Sequence, residues 1–377
     1  MASLNDAITL QGHIGRIIDR LRADEGGYED VVYPWVQGAR SFSTTGDFAD
    51  AVAGNAHLKS VAIMGSLDEN SHHIMVPFLR KLFATHPSLA HLLICHDIRE
   101  NGGLSDELMS TVAEGLKSNT NLKKLSLICC NIKQKGSETL FRTLLHHNTT
   151  LEELYLRGNA FPILGTGTAT ESTAEEERFS VSETFEKISL KRLTLVRSSL
   201  GDELVKEIFR GLRKNKSMWS VDLSGTGITD ESSQDIAETL RHNSSLRHLR
   251  FNGNSITDTG AAILEGSLRH DNHALMKLSL RGNTEEEEEP MVTSDEQSRI
   301  DRLCRDNRRI HRTYGNIRAN LRRISPRLCP AVFELVQGKP SLLYAVLRSK
   351  PDLWCRERSS LQNTRKRRRD APLPSET

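Results

Sequence analysis

Apolar residues recur along the chain in a nine-place frame, with leucine or another apolar residue at places one, four and six. The segment LRHLRFNGN, which begins at Leu246, shows the frame clearly and ends on an asparagine at the ninth place. Further copies begin at positions 58, 89, 122, 151, 190, 218 and 275, so that successive starts differ by 28 to 39 residues. A recurrence of this length predicts a solenoid, in which similar units stack on one another.

Each unit is predicted to begin with a short strand. The LxL part of the frame alternates apolar and polar residues, as a strand with one buried face does. The ninth residue is expected to turn the chain, because an asparagine amide can bond backbone groups that a turn leaves unpaired. Asn159, Asn254 and Asn283 occupy that place in three copies.

An amphipathic helix is predicted to follow each strand. In one copy, the apolar residues Ile236, Ala237 and Leu240 fall on one helical face. Asp202 and Asp230 lie near predicted helix starts, where a carboxylate is expected to accept hydrogen bonds from the free N–H groups of its own helix. One strand and one helix do not bury their apolar faces alone. Stacking is therefore expected to supply the core, with the strands in a parallel sheet and the helices outside it.

This pattern resembles the ribonuclease-inhibitor-like class of leucine-rich repeat proteins, whose repeats of about 28–29 residues carry a full helix. The match covers about residues 47–283 and is strong in four consecutive copies. The resemblance implies the α/β fold class: a right-handed leucine-rich repeat solenoid (horseshoe) with a concave parallel β-sheet and outer helices, plus a helical C-terminal cap. Cys130, Ser198 and Thr226 depart from the family pattern, because they replace asparagine at the ninth place.

The chain divides into four predicted regions. They are an N-terminal segment and cap (1–46), a solenoid of about eight repeats (47–293) with a loop insertion near 162–180, a helical C-terminal cap or extension (294–357), and a disordered basic tail (358–377). Before the solenoid, the segment YEDVVYPWVQ is either a first strand or a cap. A helix from Ser294 to Thr313 is expected to cover the open end of the solenoid, with Ile300, Leu303 and Ile310 turned inward.

The formal net charge of +2 hides an asymmetry. From Glu296 to the end, the chain has 20 Lys and Arg against 8 Asp and Glu, so the part before it is acidic. The basic block of the tail is interpreted as a nuclear-import signal, a nucleic-acid contact or solvated charge. It comprises Arg365, Lys366, Arg367, Arg368 and Arg369.

The sequence predicts a cytoplasmic location, with the nucleus as the alternative. Six scattered cysteines form no disulfide framework, which favours a reducing compartment. The N-terminus does not follow the pattern of a secretory signal, and no apolar run reaches about 18 residues, so no membrane span is predicted.

No arrangement of residues in the sequence predicts catalysis. Cys129 and Cys130 are adjacent, but no histidine or cysteine stands at metal-ligand spacing from them. Cys95, His96 and Asp97 are the residue types of a nucleophile, a base and an orienting acid. Neighbours on a strand nevertheless point to opposite faces, so they do not assemble into a triad. The chain is predicted not to be an enzyme and to hold no cofactor and no metal.

The frame also predicts which residues line the concave face, namely places two, three, five, seven and eight of each copy. In the eight copies these places hold 11 basic residues and three acidic ones. Neighbouring strands lie about 4.8 Å apart, so equal places form columns, in which Glu152 meets Lys191 and Asp222 meets Arg250. The candidate partner-binding residues are Lys124, Tyr155, Arg157, Lys191, Arg192, Arg197, Trp219, Asp222, Arg247, His248, Arg250, Lys277 and Arg281.

These features predict a non-catalytic protein–protein interaction scaffold that binds an acidic protein partner on its concave face. A tryptophan beside arginines is typical of interface hot spots. Sparse aromatic residues argue against nucleic acid, and neither a small-molecule substrate nor a membrane is predicted as a partner.

Two further resemblances give alternatives. The repeat length and the short acidic run TEEEEEP are similar to features of Ran GTPase-activating proteins. That resemblance implies a contribution to GTP hydrolysis on a Ran-type small GTPase. The repeats are also similar to those of NOD-like receptors, whose nucleotide-binding domain has no counterpart in this sequence.

Overall fold

The computed structural model describes residues 15–23, 29–35, 42–65, 72–86, 88–96, 104–159, 179–283 and 292–321. The chain forms two compact units, residues 1–304 and 305–377, and residues 305–321 of the second unit are helical. Several predicted segments lie outside the described residues. They are the insertion up to position 178, the acidic run 284–290, the predicted C-terminal extension beyond position 321, and the basic block 365–369.

Nine strands form one open parallel sheet in which spatial order follows chain order. The strands are β1 (Asp30–Trp35), β2 (Ser60–Gly65), β3 (His91–His96), β4 (Lys124–Ile128), β5 (Glu153–Tyr155), β6 (Arg192–Thr194), β7 (Ser220–Asp222), β8 (His248–Arg250) and β9 (Lys277–Ser279). Each connection between strands contains a helix, as parallel neighbours require. The predicted α/β leucine-rich repeat solenoid is therefore confirmed.

The helices lie on one face of the sheet, and the apolar core lies between the helices and the strands. They are α1 (residues 15–22), α2 (Phe42–Gly54), α3 (His72–Thr85), α4 (Asp106–Ser118), α5 (Gln134–His146), α6 (Val181–Lys187), α7 (Gly201–Leu212), α8 (Ser233–His242), α9 (Asp258–His270) and α10 (Ser294–Leu321). A 3-10 turn (Asp230–Ser232) leads into α8.

The sheet begins earlier than the predicted solenoid. Strand β1 pairs with β2 in parallel, with Asp30 opposite Ser60 and Val31 opposite Val61. Of the two interpretations of YEDVVYPWVQ, the structure has the strand, so the sheet begins before position 47. The four predicted regions as a set stay a prediction.

The apolar places of the frame form the core. Leu246, Leu249, Phe251 and Ile256 are all fully buried, and full burial of one such side chain contributes about 1.5–3 kcal/mol. In β5 to β8 the middle residue is buried and its neighbours are partly exposed. One face of the sheet therefore meets the helices, and the other, which we call the concave face, is open.

The ninth-place asparagines bond backbone groups of turns, as the sequence predicts, and Asn254 bonds those of the preceding unit. Asn254 Oδ1 accepts a hydrogen bond from the backbone N–H of Thr226 (2.8 Å), and its Nδ2 donates to the carbonyl of Leu223 (2.9 Å). Where Ser198 replaces asparagine, its hydroxyl still donates to the Leu156 carbonyl (3.0 Å). A short hydroxyl side chain thus satisfies part of the same turn.

A second set of buried asparagines, which the sequence reasoning missed, lies three places before the first apolar residue of the frame. Asn243 Oδ1 accepts from the backbone N–H groups of Ser245 (2.7 Å) and Leu246 (2.8 Å), and its Nδ2 donates to the carbonyls of Leu212 (2.6 Å) and Asn215 (3.0 Å). The set comprises Asn55, Asn119, Asn148, Asn215, Asn243 and Asn272. Each member closes its own turn and binds the preceding unit, so it fastens neighbouring units together.

His86 occupies the corresponding place between Asn55 and Asn119. It is 2% exposed, and neither ring nitrogen forms a hydrogen bond of ordinary geometry, although the ring faces the Val52 carbonyl. Burial lowers the pKa of this imidazole from its usual 6.5. His86 is thus a neutral ring at a place where six other units have an asparagine amide with several bonds.

We expect His86→Asn to stabilise the chain by about 1–2 kcal/mol, because it adds two or three buried hydrogen bonds, each worth about 1 kcal/mol net. The gain should grow as the pH falls below 6.5. There the unfolded chain takes up a proton on His86 that the folded chain takes up only at lower pH, so the stability of the unsubstituted chain is lost through that range. Urea unfolding at pH 7.5 and 5.5 measures both effects. Equal pH dependence in the two proteins would contradict this account of His86.

The aspartates near the helix starts do not act as predicted. Asp202 Oδ1 accepts a hydrogen bond from the backbone N–H of Thr229 (3.1 Å), and Asp230 accepts one from that of Thr257 (2.8 Å). Both threonines belong to the following unit and cap its helical segment. The expectation that these carboxylates serve their own helices is wrong, because the threonine N–H of the next unit lies within reach across the interface.

Helix α10 covers the last strand. Gln297 Oε1 accepts from the backbone N–H of Leu280 (2.9 Å), and its Nε2 donates to the carbonyl of Leu278 (3.2 Å). Ile300 is fully buried and Leu303 packs against the core. The side chain of Ile310 lies outside the described residues, and the helix runs beyond Thr313 to Leu321. Gln297 satisfies part of the strand edge that would otherwise be open.

Candidate protein-binding face

The register of the sheet places the candidate residues in columns on the concave face. Tyr155 lies opposite Thr194, Thr194 opposite Asp222, and Asp222 opposite Arg250. A parallel column passes through Lys124, Glu153, Arg192, Ser220, His248 and Lys277. Side chains two places apart on a strand share a face, so both columns project on the side away from the helices.

The eighth place of the frame has a left-handed backbone from β4 onward. Its φ angle is positive in six successive units, at Cys129, Gly158, Arg197, Gly225, Gly253 and Gly282. Glycine adopts this conformation freely, whereas other residues pay of order 1 kcal/mol or more. Arg197, with φ of 55°, is therefore a charged side chain held at a place where most units have glycine.

Ion pairs tie down the acidic residues at the centre of the face. Lys191 binds Glu152 (2.8 Å), Arg192 binds Glu153 (2.7 Å), and Lys124 lies 4.0 Å from Glu153. The hydrogen bond from Lys191 lowers the pKa of Glu152. Since exposed pairs contribute only about 0–1 kcal/mol each, they neutralise charge more than they stabilise the fold.

The second predicted ion pair, between Asp222 and Arg250, is also present. Arg250 Nη1 lies 3.3 Å from Asp222 Oδ2, and the Asp222 side chain is 16% exposed. Asp222 also accepts from the hydroxyl of Ser224 (2.6 Å). This aspartate is thus occupied by residues of its own chain.

Aromatic rings lie among these charges. The Arg192 guanidinium carbon is 4.4 Å from the centroid of the Trp219 ring, and the Trp219 ring meets His248 edge to face at 5.4 Å. The Lys124 ammonium lies 4.5 Å from the Tyr155 ring centroid. Each contact crosses from one strand to the next, so the rings and cations form one continuous surface.

Arg247 is less available than the sequence suggests. Its Nη1 donates to the backbone carbonyls of Ser244 (2.8 Å) and Ala274 (3.2 Å), which belong to turns of two successive units. Burial lowers the pKa of its guanidinium. The geometry assigns Arg247 to joining two turns, which the position of the residue in the frame does not reveal.

Four candidate cations make no ion pair or side-chain hydrogen bond with another described residue. They are Arg157, Arg197, Lys277 and Arg281, and all four are exposed. The backbone N–H of Gly158 donates to the Val196 carbonyl (2.8 Å), and that of Arg197 to the Ser224 carbonyl (2.8 Å). These bonds continue the sheet beyond the strand ends, so Arg157 and Arg197 lie in neighbouring units at the same edge.

Strand β1 changes the charge balance of the face. It adds Glu29 and Asp30 at the second and third places, and Glu29 binds Lys59 (2.7 Å). The expected ratio of 11 basic to three acidic residues therefore becomes 11 to five over nine units. Units five to nine hold eight basic residues and three acidic ones, so the positive charge concentrates in the C-terminal half of the sheet.

The N-terminal part of the face also exposes two large apolar side chains, which are not among the predicted binding residues. Val32 is 51% exposed and Met64 is 46% exposed, and they are the exposed large apolar side chains of the described residues. They lie on the adjacent strands β1 and β2. The alternation of the frame predicts their exposure, but only the pairing of β1 reveals that they are neighbours.

One cysteine of this region, Cys130, lies within the core. Cys130 is fully buried, and its thiol lies 3.3 Å from the Ile128 carbonyl, while burial raises the pKa of the thiol far above its usual range. Within the described ranges, no three His, Cys, Asp or Glu side chains are grouped to hold a metal ion. None of the described helices is long and apolar enough to cross a membrane.

The comparison with protein families agrees with this geometry. A model described as "Leucine Rich repeat" matches residues 147–161 and 242–262, which contain the β5 and β8 strands and their ninth-place asparagines. These two segments are therefore similar to leucine-rich repeats. The resemblance to the ribonuclease-inhibitor-like class in particular stays a prediction. No curated protein matches the chain.

Three solved structures that match the chain share little sequence with it. The actin-binding site 2 of leiomodin-1 is 20% identical, with 38% of this chain and 78% of that chain covered and a TM-score of 0.32. A Bacteroides fragilis protein is 17% identical (75% and 85% covered, TM-score 0.37), and the tropomodulin C-terminal domain of Caenorhabditis elegans is 11% identical (82% and 97% covered, TM-score 0.25). These likenesses assign no function.

Proposed function

We propose that the chain is a non-catalytic interaction scaffold and that its concave face binds an acidic segment of a partner protein. Leucine-rich repeat proteins are generally protein-interaction scaffolds, so the open face of the sheet is the first surface to consider. The finer statement, that the partner is acidic, rests on the charges of the face.

One observation carries this proposal: all three acidic residues of units five to nine are already paired with bases of the same face. Glu152, Glu153 and Asp222 bind neighbouring cations, whereas four exposed cations have no partner among the described residues. A surplus of unpaired positive charge attracts carboxylates and orients them before contact.

The backbone of Arg197 supports the same assignment. A left-handed non-glycine residue costs stability, and such residues are retained where a side chain has a role. In the two units beside Arg197, the eighth place is held by Gly158 and Gly225, which have no side chain. The side chain of Arg197 therefore has no neighbouring side chain at that place on either side. A carboxylate of a partner has direct access to its guanidinium there.

We expect Arg157→Glu combined with Arg197→Glu to weaken binding of acidic peptides by at least about tenfold, because two attractive charges become repulsive ones. The probes are peptides selected from a displayed library of random 16-residue sequences on the full chain, then synthesised with fluorescein and measured by fluorescence anisotropy. The selected peptides should be acidic, and their affinity should fall with rising salt.

The matched control reverses Arg80 and Lys135 to glutamate, since both are exposed and lie in helices α3 and α5, on the side of the sheet away from the concave face. It should bind as the unsubstituted chain does. Arg197→Gly is a further variant, because it removes the charge while relieving the left-handed backbone. The proposal would be wrong if the selected peptides were neutral or basic, or if both double variants lost the same peptide affinity.

The alternative of a Ran-type GTPase-activating regulator stays a prediction, and no contact among the described residues favours it. Its test is direct: phosphate release from a GTP-loaded Ran-type GTPase is measured with and without the full chain. Acceleration would replace the scaffold proposal, and an unchanged rate would remove the alternative.

A further inference from the structure

We infer that the partner segment has two chemically different ends and lies across the strands in one orientation. Its apolar end contacts the N-terminal strands β1 to β4, and its acidic end contacts β5 to β9. This inference rests on the proposed function, because it takes the concave face as the binding surface.

The apolar half is built from two adjacent columns. In the first, Val32 lies opposite Ala62, and Ala62 opposite Leu93. In the second, Met64 lies opposite Cys95, and Cys95 opposite Ile128. These six places hold apolar or thiol side chains, and all are at least partly exposed.

Unpaired positive charge is nearly absent from β1 to β3, whose concave places also hold the acidic residues Glu29 and Asp30. At the concave places of β1 to β3 the only Lys or Arg is Lys59, and Glu29 binds it (2.7 Å). Single exposed apolar residues are ordinary on protein surfaces, but grouped ones mark contact sites. Here the exposed pair Val32 and Met64 lies at one end of the face, and the unpaired arginines lie in its other half.

The two halves are continuous, and their combined length suits one segment. The nine strands, at about 4.8 Å spacing, extend over about 38 Å, which about 12 residues of extended chain span. A ligand that is acidic throughout would leave Val32 and Met64 in water. An apolar ligand would leave Arg157 and Arg197 without partners, so a segment with one apolar and one acidic end satisfies both halves.

The test compares two surface variants on the full chain. Val32→Thr with Met64→Gln keeps the shapes of two exposed side chains but makes them polar. Arg157→Glu with Arg197→Glu changes the basic half. Selected peptides should carry an apolar block and an acidic block. The first variant should weaken such peptides about tenfold, as expected for losing apolar contact area, and should leave a peptide of the acidic block alone unchanged.

Orientation is measured with a photo-reactive residue at either end of the best peptide. The reactive apolar end should label β1 to β4, and the reactive acidic end should label β5 to β9, as located by mass spectrometry. Labelling in the opposite arrangement, or equal affinity of the two-block peptide and its acidic block, would overturn the inference and leave the proposed function intact. If reversal of Arg157 and Arg197 weakens neither peptide, the proposed function itself fails.

A second copy of the chain is the competing occupant of the apolar half. Sedimentation velocity of the unsubstituted chain and of the variant with Val32→Thr and Met64→Gln decides this. A dimer that the double substitution dissociates would show that another copy covers Val32 and Met64, and would overturn the inference. A monomer in both proteins supports it.

Discussion

Replacing Asn243 with alanine should lower the free energy of unfolding by about 3–4 kcal/mol, because it leaves several buried backbone groups without partners, each costing about 1–3 kcal/mol. The N–H groups of Ser245 and Leu246 lose their acceptor, and the carbonyls of Leu212 and Asn215 lose a donor. The side chain joins the units of β7 and β8, so the damage should concentrate at that interface.

Amide hydrogen exchange locates the effect. In Asn243→Ala, exchange at Ser245 and Leu246 should accelerate strongly, whereas the units around β2 and β3 should keep their protection, because each repeat contacts mainly its neighbours. The control is Asn121→Ala, since Asn121 is exposed and only its backbone N–H takes part in the turn, with Asn119. A loss in the control equal to that of Asn243→Ala would contradict the role assigned to the buried set.

The difference between Asn243 and Asn121 shows which features of the fold can be predicted from the sequence. The leucine frame predicts the strands because burial of an alternating pattern leaves little choice of register. The asparagine three places before the frame recurs as regularly, at 215, 243 and 272, and was available as a signal. Strand β1 escaped the frame because its segment YEDVVYPWV has no leucine, and an end unit follows the pattern least.

The binding face was predictable in part. Equal places in the frame gave the pairs Lys191–Glu152 and Arg250–Asp222, which the structure contains at 2.8 and 3.3 Å. The hydrogen bonds of the Arg247 side chain were not predictable, because this long side chain turns back to the carbonyls of Ser244 and Ala274. Frame position fixes the direction of a Cβ atom, whereas the last atoms of an arginine depend on acceptors that only the folded chain brings together. The partner-binding roles stay predictions.

Gly211→Ala should destabilise the chain by about 2 kcal/mol, since overpacking a closed contact costs about 1–3 kcal/mol. Gly211 lies in α7 where the helix approaches α6. An added Cβ would stand 2.8 Å from Phe185 Cβ and 3.0 Å from Glu186 N, and closer still to the Ser182 carbonyl oxygen. Two of these neighbours are backbone atoms, which cannot turn away as a side chain does, so α7 would have to move as a whole.

Gly266→Ala in α9 is the matched control, because a Cβ there meets nothing within 4 Å. It should stabilise the chain by about 0.5–1 kcal/mol, the usual difference in helix propensity between alanine and glycine. The same substitution should therefore have opposite signs in two helices of one solenoid, as measured by urea unfolding under identical conditions. If both variants gained stability, the close approach of α6 and α7 at Gly211 would be wrong, because propensity alone would then account for the two results.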